Sequence, residues 1–306
     1  MAFTAKDVMK LREKTGCGMM DCKKALTEAD GDMDKAIDLL REQGLAKAAK
    51  KASRIAAEGV AFACTNDEGT KGVALEVNAE TDFVAKNAEF QAFVKTVAQT
   101  VMDNDPADVA DLLTKTAVGT EMTVADLLQE KIQTIGENIV IRRFQLFEGS
   151  VSAYIHAGGK IAVLVKFDTD AADKDGFAAY AKDIAMQVAA VNPSYLKKDD
   201  VPAEVLDHEK EIMMAQMKQD PKMANKPDQV LDKIVMGKVG KYYEENCLLN
   251  QAFIKENKIS VEEYTKQTAN KLGGKITIAQ FVRFEKGEGL EKRSDDFAAE
   301  VASMVK

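Results

Sequence analysis

The chain has 306 residues, of which 46% are hydrophobic, and it carries a formal net charge of −8. This length predicts more than one domain and a sizeable core. The acidic balance argues against direct binding to nucleic acid, because a protein that binds the phosphate backbone normally presents a basic field. No apolar stretch approaches the roughly 18 residues of a membrane span, so we expect no membrane partner.

The cysteines and the first residues indicate the compartment. Cys17, Cys22, Cys64 and Cys247 have neither paired zinc spacing nor the density of a secreted domain. We therefore expect reduced thiols and no metal site. The start of the chain lacks the apolar core of a signal peptide and the Arg/Ser-rich composition of a transit peptide. Together these features predict a cytoplasmic protein.

Residues 1–45 predict a compact domain of three helices. The sequence TAKD (4–7) is typical of a capping box, and TGCG (15–18) interrupts the first helix. Asp32 is expected to cap the third helix, and Gly44 to close it at a C-cap position. So few residues form a marginal core, which favours a docking module. Three short helices with a Gly-containing first loop resemble a ubiquitin-associated (UBA-like) domain.

Residues 46–58 predict a helical linker rich in Ala and Lys. Lys47, Lys50, Lys51 and Arg54 fall along one of its faces. This face is a solvated surface, a patch for an acidic partner or a nucleic-acid contact.

Residues 59–148 predict a first α+β subdomain in which a hairpin leads through a turn into a helix. The alternating stretch 72–77 is typical of a strand. The following helix carries an apolar stripe: Phe90, Phe93, Val94, Val97 and Val101. Thr81 and Asp82 supply N-cap oxygens to the turn. Phe83, beside Val84, either packs under the helix or projects as a wedge that enters a partner.

Residues 149–286 predict a second subdomain related to the first by duplication. Thr169 follows Ile161 at the offset that separates Thr81 from Val73, and this alignment sets Ala171 in the place of Phe83. The closing strands also repeat, because the residues of one recur in the other at identical spacing: Ile141, Phe144, Phe147, Glu148 and Ile278, Phe281, Phe284, Glu285. Since the second unit folds without an aromatic in its turn, Phe83 is interpreted as an addition that serves binding.

The second subdomain is longer because it contains an insertion at about 193–243, marked by four prolines: Pro193, Pro202, Pro221 and Pro227. Two apolar stripes predict an antiparallel helical hairpin within it. These stripes consist of Val205, Ile212, Met213 and Met217, and of Leu231, Val235, Val239 and Tyr242. Ser260 is expected to cap a further short helix. Residues 287–306 predict a C-terminal module that ends in an amphipathic helix from 294.

The sequence favours binding over covalent chemistry. Its two histidines, His156 and His208, lie in different elements, and neither accompanies a nucleophile or carboxylate motif. The Gly-Gly-Lys sequences at 158–160 and 273–275 lack the remainder of a phosphate-binding loop. We therefore assign no catalytic residue and no cofactor.

Four motifs closely resemble those of the bacterial elongation factor Ts family, in family order along nearly the whole chain. The first two are LREKTGCGMMDCKKAL (11–26) and EVNAETDFVAKN (76–87). IGEN (135–138) with Arg142-Arg143 and FEKGEG (284–289) complete the set. The resemblance predicts an α+β protein with a UBA-like domain, two subdomains, a helical hairpin and a C-terminal helix.

The resemblance implies a guanine-nucleotide exchange factor for elongation factor Tu, bound in its GDP-loaded and nucleotide-free states. The Thr81–Val84 turn, with Asp82 and Phe83 foremost, would displace Mg²⁺ and disturb the phosphate loop of that partner. The further contacts implied are Met19, Met20 and Lys23 in the first domain, His156 at a hairpin tip, and Phe253 and Ile254 against a second partner domain. The resemblance also allows homodimerisation through the helical hairpin. It does not assign a role to Lys255, where the family also has a more apolar residue.

Three other interpretations stay open at this point. A UBA-type adaptor would bind through residues 1–50 alone and would bury Phe83. An RNA-binding translation protein would use the Lys47–Arg54 face and show a steep salt dependence. An enzyme would need carboxylate pairs that spacing does not reveal.

Overall fold

The computed structural model describes residues 3–15, 17–220 and 226–291, with only the backbone at 45–49 and 228. It confirms an α+β fold with a helical N-terminal domain. No helix in the described part of the chain is both long and apolar enough to cross a membrane. The tail helix expected from residue 294 lies outside the described residues.

The N-terminal domain consists of α1 (Ala5–Thr15), α2 (Met19–Glu28) and the first part of α3 (Met33–Lys51). The predicted interruption after Thr15 is confirmed. So is the cap at Asp32, whose Oδ1 accepts from the backbone N–H groups of Asp34 and Lys35 at 3.0 and 3.1 Å. The small core of this domain is formed by buried apolar side chains from all three helices: Val8, Leu11, Cys22, Leu26, Ala36 and Leu40.

The prediction that α3 ends at Gly44 is wrong. The helix continues through Gly44 to Lys51, so the expected boundary between domain and linker falls inside one helix. Gly44 serves close packing instead, because a Cβ built there would lie 2.4 Å from Oε1 of Gln133. Gln133 belongs to α7 (Val124–Ile135), and Lys51 Nζ donates to the carbonyl oxygen of Ile132 in the same helix at 3.1 Å. The third helix is thus fixed against the first subdomain.

The first subdomain is an antiparallel sheet covered by helices. Its strands β1 (Glu58–Thr65), β2 (Lys71–Ala79) and β3 (Ile139–Glu148) pair in that order. The helices are α4 (Asp82–Ala85), α5 (Ala88–Asn104), α6 (Val109–Thr114) and α7. The predicted stripe of α5 is confirmed, because all five of its members pack in one cluster with Val73, Leu75 and Val77 of β2.

The second subdomain repeats this arrangement. Strands β4 (Ser150–His156), β5 (Ile161–Thr169) and β8 (Ile276–Glu285) form its sheet. Helices α8 (Phe177–Val191) and α11 (Val261–Leu272) cover it. A short hairpin of β6 (Ala252–Phe253) and β7 (Glu256–Ser260) precedes α11, and Ser260 caps α11 as predicted, with its Oγ 3.1 Å from the backbone nitrogen of Glu263.

Strand register supports the duplication but corrects the sequence alignment. The middle strand of each sheet has an irregularity at one place, after Glu76 in β2 and after Lys166 in β5. This matches residues of β2 with residues 90 positions later, whereas the sequence alignment used 88. Thr81 therefore corresponds to Ala171, and Phe83 to Asp173 rather than Ala171. The conclusion that the second turn has no aromatic residue is unchanged.

The two turns differ in length as well as sequence. The burial pattern of α5 recurs in α8 only 87 positions later, with Phe90 matched by Phe177 and Val97 by Ile184. The second turn is thus three residues shorter than the first, and residues 171–176 contain no counterpart of α4. The whole one-turn helix that carries Phe83 is specific to the first subdomain.

The two sheets pack against each other through alanines and larger apolar side chains. The contact consists of apolar residues from both sheets: Ala61, Ala63, Ala74, Phe147, Val151, Ala162, Leu164 and Phe284. The backbone N–H of Ala61 also donates to the carbonyl oxygen of Gly159 at 2.8 Å. The subdomains therefore approach each other closely over this face.

The predicted helical hairpin is confirmed as α9 (Ala203–Gln219) and α10 (Asp228–Asn246). Five predicted seam residues pack between the helices: Met213, Met217, Leu231, Val235 and Val239. The other three positions are wrong, because Leu206 and Tyr243 pack at the seam where Val205 and Tyr242 were expected, and Ile212 is exposed.

Candidate functional site

Phe83 is the most exposed large hydrophobic residue of the described chain, with 80% of its surface accessible. It lies on α4, whose N-cap is Thr81, and the Oγ1 of Thr81 accepts from the backbone N–H of Val84 at 3.4 Å. Val84 and Ala85 turn inward and are buried, which leaves Asp82 and Phe83 on the solvent side. The interpretation in which Phe83 packs under the helix is therefore wrong.

Two carboxylates hold the base of this turn, because each accepts hydrogen bonds from the backbone of the loop that carries the other. Glu137 accepts through Oε2 from the backbone N–H groups of Glu80 and Thr81 at 3.1 and 3.0 Å, and through Oε1 from the Thr81 hydroxyl at 2.7 Å. In return, Glu80 Oε1 accepts from the backbone N–H of Asn138 at 2.6 Å. Hydrogen bonds to a charged acceptor are stronger than neutral ones. We refer to Glu80, Thr81, Glu137 and Asn138 as the turn clasp.

Asp82 stays charged beside Phe83. Its Oδ2 accepts from Lys86 Nζ at 2.8 Å, one helical turn further on. This hydrogen bond holds the pKa of Asp82 below its ordinary value of 3.8, and the charge of Lys286 acts in the same direction. The exposed aromatic is thus flanked by a fixed negative charge.

His156 lies at the same end of the molecule as the Phe83 turn. It is exposed on the β4–β5 hairpin, and its Nδ1 is 3.1 Å from the hydroxyl oxygen of Tyr154. The neighbouring Lys160 carbonyl accepts from the backbone N–H of Lys286 at 2.9 Å. Because Lys286 also pairs with Glu58 at the start of β1 and acts on Asp82, it links the hairpin to the turn.

The N-terminal candidates share the exposed side of α2. Met19 is 44% exposed and Met20 is 74% exposed, and Lys23 also faces solvent. The opposite side of the helix buries Cys22, Ala25 and Leu26 in the domain core. The structure therefore presents these three side chains together and leaves them available to a partner.

Phe253 and Ile254 are neighbours with opposite environments. Phe253 is only 3% exposed, and its ring stacks on Tyr264 with centroids 4.0 Å apart. Ile254 is 42% exposed at the hairpin turn, where the side-chain oxygen of buried Gln187 accepts from its backbone N–H at 2.8 Å. In this conformation Ile254 is available for contact, whereas Phe253 supports the turn from inside. Lys255, to which the sequence assigned no role, pairs with Asp183 at 2.6 Å.

Sequence reasoning missed a buried ion cluster around Glu76, which is 0% exposed. Arg142 Nη1 and Arg143 Nε donate to its two oxygens at 3.0 and 2.7 Å. The backbone N–H of Gly287 donates to Oε1 at 2.7 Å. The sequence signal was an acidic residue within an otherwise apolar strand, together with an adjacent Arg pair. The cluster joins motifs that lie more than half the chain apart.

These features define a class of protein that acts by binding another macromolecule. Exposed apolar side chains on rigid supports are typical of protein–protein contact sites. Among the described residues, no group of three or more His, Cys, Asp and Glu is placed to hold a metal ion. Burial raises the pKa of Cys64 to about 11, so this thiol is mostly protonated near neutrality.

Comparison with known proteins identifies the family. The sequence model described as "Elongation factor TS" matches residues 80–288. Among the relatives named Elongation factor Ts, those of Syntrophotalea carbinolica and Trichlorobacter lovleyi are 49% and 48% identical to this chain. Both matches cover 100% of the chain, and 100% and 99% of the relatives. The protein of Clostridium perfringens is 47% identical over 99% of both sequences. The chain belongs to the elongation factor Ts family.

Proposed function

We propose that this protein accelerates the release of GDP from elongation factor Tu in the cytoplasm by docking on its GTPase domain and pressing the Asp82-Phe83 turn beside the Mg²⁺ and phosphate site. The observation that carries this proposal is the 80% exposure of Phe83 on a one-turn helix that the second subdomain lacks. Membership of the elongation factor Ts family supports this choice of partner and reaction.

The energetics require more than the aromatic side chain. A 10⁴-fold acceleration corresponds to about 5.5 kcal/mol at the barrier. Burial of one Phe side chain contributes about 1.5–3 kcal/mol. The remainder must come from contacts made preferentially with the open partner, and the exposed Met20, His156 and Ile254 are candidates for them. Because coupling between two binding sites is reciprocal, nucleotide rebinding weakens the binding of the factor to its partner by the same free energy by which the factor weakens nucleotide binding.

The alternative interpretations gain less support. An adaptor with a purely structural body was expected to bury Phe83, which is exposed. An RNA-binding face was expected along the basic linker. Of the described basic side chains of this face, Lys50 is exposed, whereas Lys51 donates to a backbone carbonyl at 3.1 Å and Arg54 lies 3.4 Å from Glu80, so two of the three have contacts within the protein.

The test is release of a fluorescent GDP analogue from purified elongation factor Tu at saturating concentrations of the factor. We expect wild type to accelerate release. We expect Phe83→Ala to lose roughly tenfold to a hundredfold of the maximal rate, because that is the kinetic equivalent of one buried Phe. Val118→Ala is a matched control, since Val118 is exposed on a loop outside all the proposed contacts.

Each result decides a separate point. If Phe83→Ala equals wild type, the exchange activity stands and the wedge is wrong. If wild type does not accelerate release, the exchange proposal itself is wrong.

A further inference from the structure

We infer that Glu137 is a positioning residue that holds the Phe83 turn in its projecting geometry. This inference rests on the proposed function, because it concerns how the turn meets the partner. Glu137 is remote in sequence from the turn and touches it only through its carboxylate. Its three hydrogen bonds all go to Glu80 and Thr81, the two residues that immediately precede α4.

The contacts determine where the one-turn helix begins. A helix of four residues has few backbone hydrogen bonds of its own, here from Lys86 to Phe83 and from Asn87 to Val84, so its orientation depends strongly on its cap and on the burial of Val84 and Ala85. The Thr81 hydroxyl donates to Glu137 while its oxygen accepts from Val84. Glu137 thereby fixes the rotamer in which Thr81 caps α4, and with it the direction in which Phe83 points.

The second subdomain provides an internal control. Residues of α7 and β3 correspond to residues 137 positions later, as shown by the left-handed caps Gly136 and Gly273. Asp170 replaces Glu80, and its Oδ1 accepts from the backbone N–H of Lys275 at 2.6 Å, as Glu80 does from Asn138. The hydrogen bond from the backbone to the first carboxylate, Glu80 or Asp170, is thus present in both halves.

The hydrogen bonds made by Glu137 are present only beside Phe83. The position of Glu137 is occupied by Gly274 in the second half, where an added Cβ would lie 2.6 Å from Asp170 Oδ1 and 2.9 Å from Ala171 Cβ. No side chain fits there. The subdomain fold therefore closes without this carboxylate, and Glu137 occurs together with the longer turn, α4 and the exposed aromatic.

The turn clasp also ties in the linker from the N-terminal domain. Asn138 Nδ2 donates to the carbonyl oxygen of Arg54 at 2.9 Å, and Arg54 Nη1 lies 3.4 Å from Glu80 Oε1. Together with the contact of α3 and α7, these bonds help to fix the N-terminal domain relative to the Phe83 turn. A partner that contacts both surfaces would meet them at a fixed separation.

The experiment compares Glu137→Ala and Glu137→Gln with the control Glu121→Ala, an exposed carboxylate on the loop before α7. Two quantities are measured in the full chain. One is the stimulated GDP release from elongation factor Tu, resolved into maximal rate and half-saturating concentration. The other is hydrogen exchange of the backbone amides of residues 80–85 and of β2.

For Glu137→Ala we expect amides 80–85 to exchange at least about tenfold faster, because a lost hydrogen bond to a charged group corresponds to a factor of that order. We expect the maximal rate to fall about tenfold, with the half-saturating concentration within about twofold, because a misdirected wedge loses transition-state contacts more than docking. Amides in β2 should keep their protection. Glu137→Gln keeps one acceptor oxygen, so we expect a smaller change in the same direction.

Three results would overturn the inference. In the first, the turn amides exchange faster but the maximal rate is unchanged. In the second, the turn amides are unaffected. In the third, the amides of β2 lose protection equally, which would make Glu137 a general stabiliser. If Glu137→Ala does not fold, Glu137→Gln decides. A wild type that fails to accelerate release would refute the proposed function, while the amide result would still report whether Glu137 holds the turn.

Discussion

Glu76 is a carboxylate with no exposed surface, and its replacement by glutamine tests how strongly the ion cluster holds the two halves together. The change keeps the shape of the side chain but removes the charge. It removes the buried negative charge from the guanidinium groups of Arg142 and Arg143, which now lie 3.0 and 2.7 Å from its oxygens, and leaves Arg143 only its contact with the exposed Glu288. It also places an amide NH₂ where an oxygen now accepts hydrogen bonds.

The expected loss of stability is about 3–5 kcal/mol, the usual effect of removing one partner from a buried ion pair. Glu288→Gln is the matched control. Glu288 also contacts Arg143, at 3.1 Å, but its side chain is 48% exposed. An exposed pair contributes about 0–1 kcal/mol, so the two variants share a partner and differ in burial.

Urea unfolding followed by circular dichroism measures the difference. With a denaturant slope of about 3 kcal/mol per molar, the Glu76→Gln midpoint should fall by about 1 M or more, and the Glu288→Gln midpoint by a few tenths at most. Equal midpoints for the two variants would refute the reasoning, because the burial of Glu76 would then have no energetic consequence.

Two further predictions concern the surfaces proposed to meet a partner. Phe253→Ala should lose about 3–5 kcal/mol of stability because it empties the stacked site on Tyr264, whereas Ile254→Ala should stay within about 0.5 kcal/mol and weaken only complex formation. Thermal unfolding measures the stability of each variant, and titration with elongation factor Tu measures its binding. Equal stability losses would contradict the assignment. Lys86→Met should raise the pKa of Asp82 towards 3.8, observed by NMR titration. Because the folded pKa of Asp82 lies below the unfolded value, the Lys86 contact stabilises the fold above about pH 3.8, and this stabilisation is lost as the pH falls through the lowered pKa. An unchanged pKa of Asp82 in the variant would exclude the 2.8 Å contact as the cause of the shift.

Local pattern was sufficient for most elements. Period-3.6 stripes predicted α5 and the helical hairpin, because a helix that covers a sheet buries one continuous face. The contrast between the two turns pointed to Phe83, since an aromatic residue absent from a duplicated unit is not needed for that unit's core. Each stripe can be recognised within one helix, whereas the contrast at Phe83 also needs the comparison of two turns about 90 positions apart.

Features that depend on distant partners were not predictable. Gly44 lies inside α3 at a contact with α7, whose Gln133 is 89 positions further along, and local sequence does not reveal this contact. The register correction depends on a strand irregularity that composition does not mark. Phe253 and Ile254 carry equally apolar side chains, and only the packing of Tyr264 and Gln187 separates a buried residue from an exposed one.

The small side chains between the two sheets have a mechanical consequence. Ala61, Ala74 and Ala162 line part of this contact, and an alanine has no side-chain rotamer that could absorb a displacement. We expect the paired sheets to move as one body, so that the Phe83 turn and the Ile254 hairpin keep a fixed separation. A larger residue at Ala74 would push the two sheets apart and so change that separation.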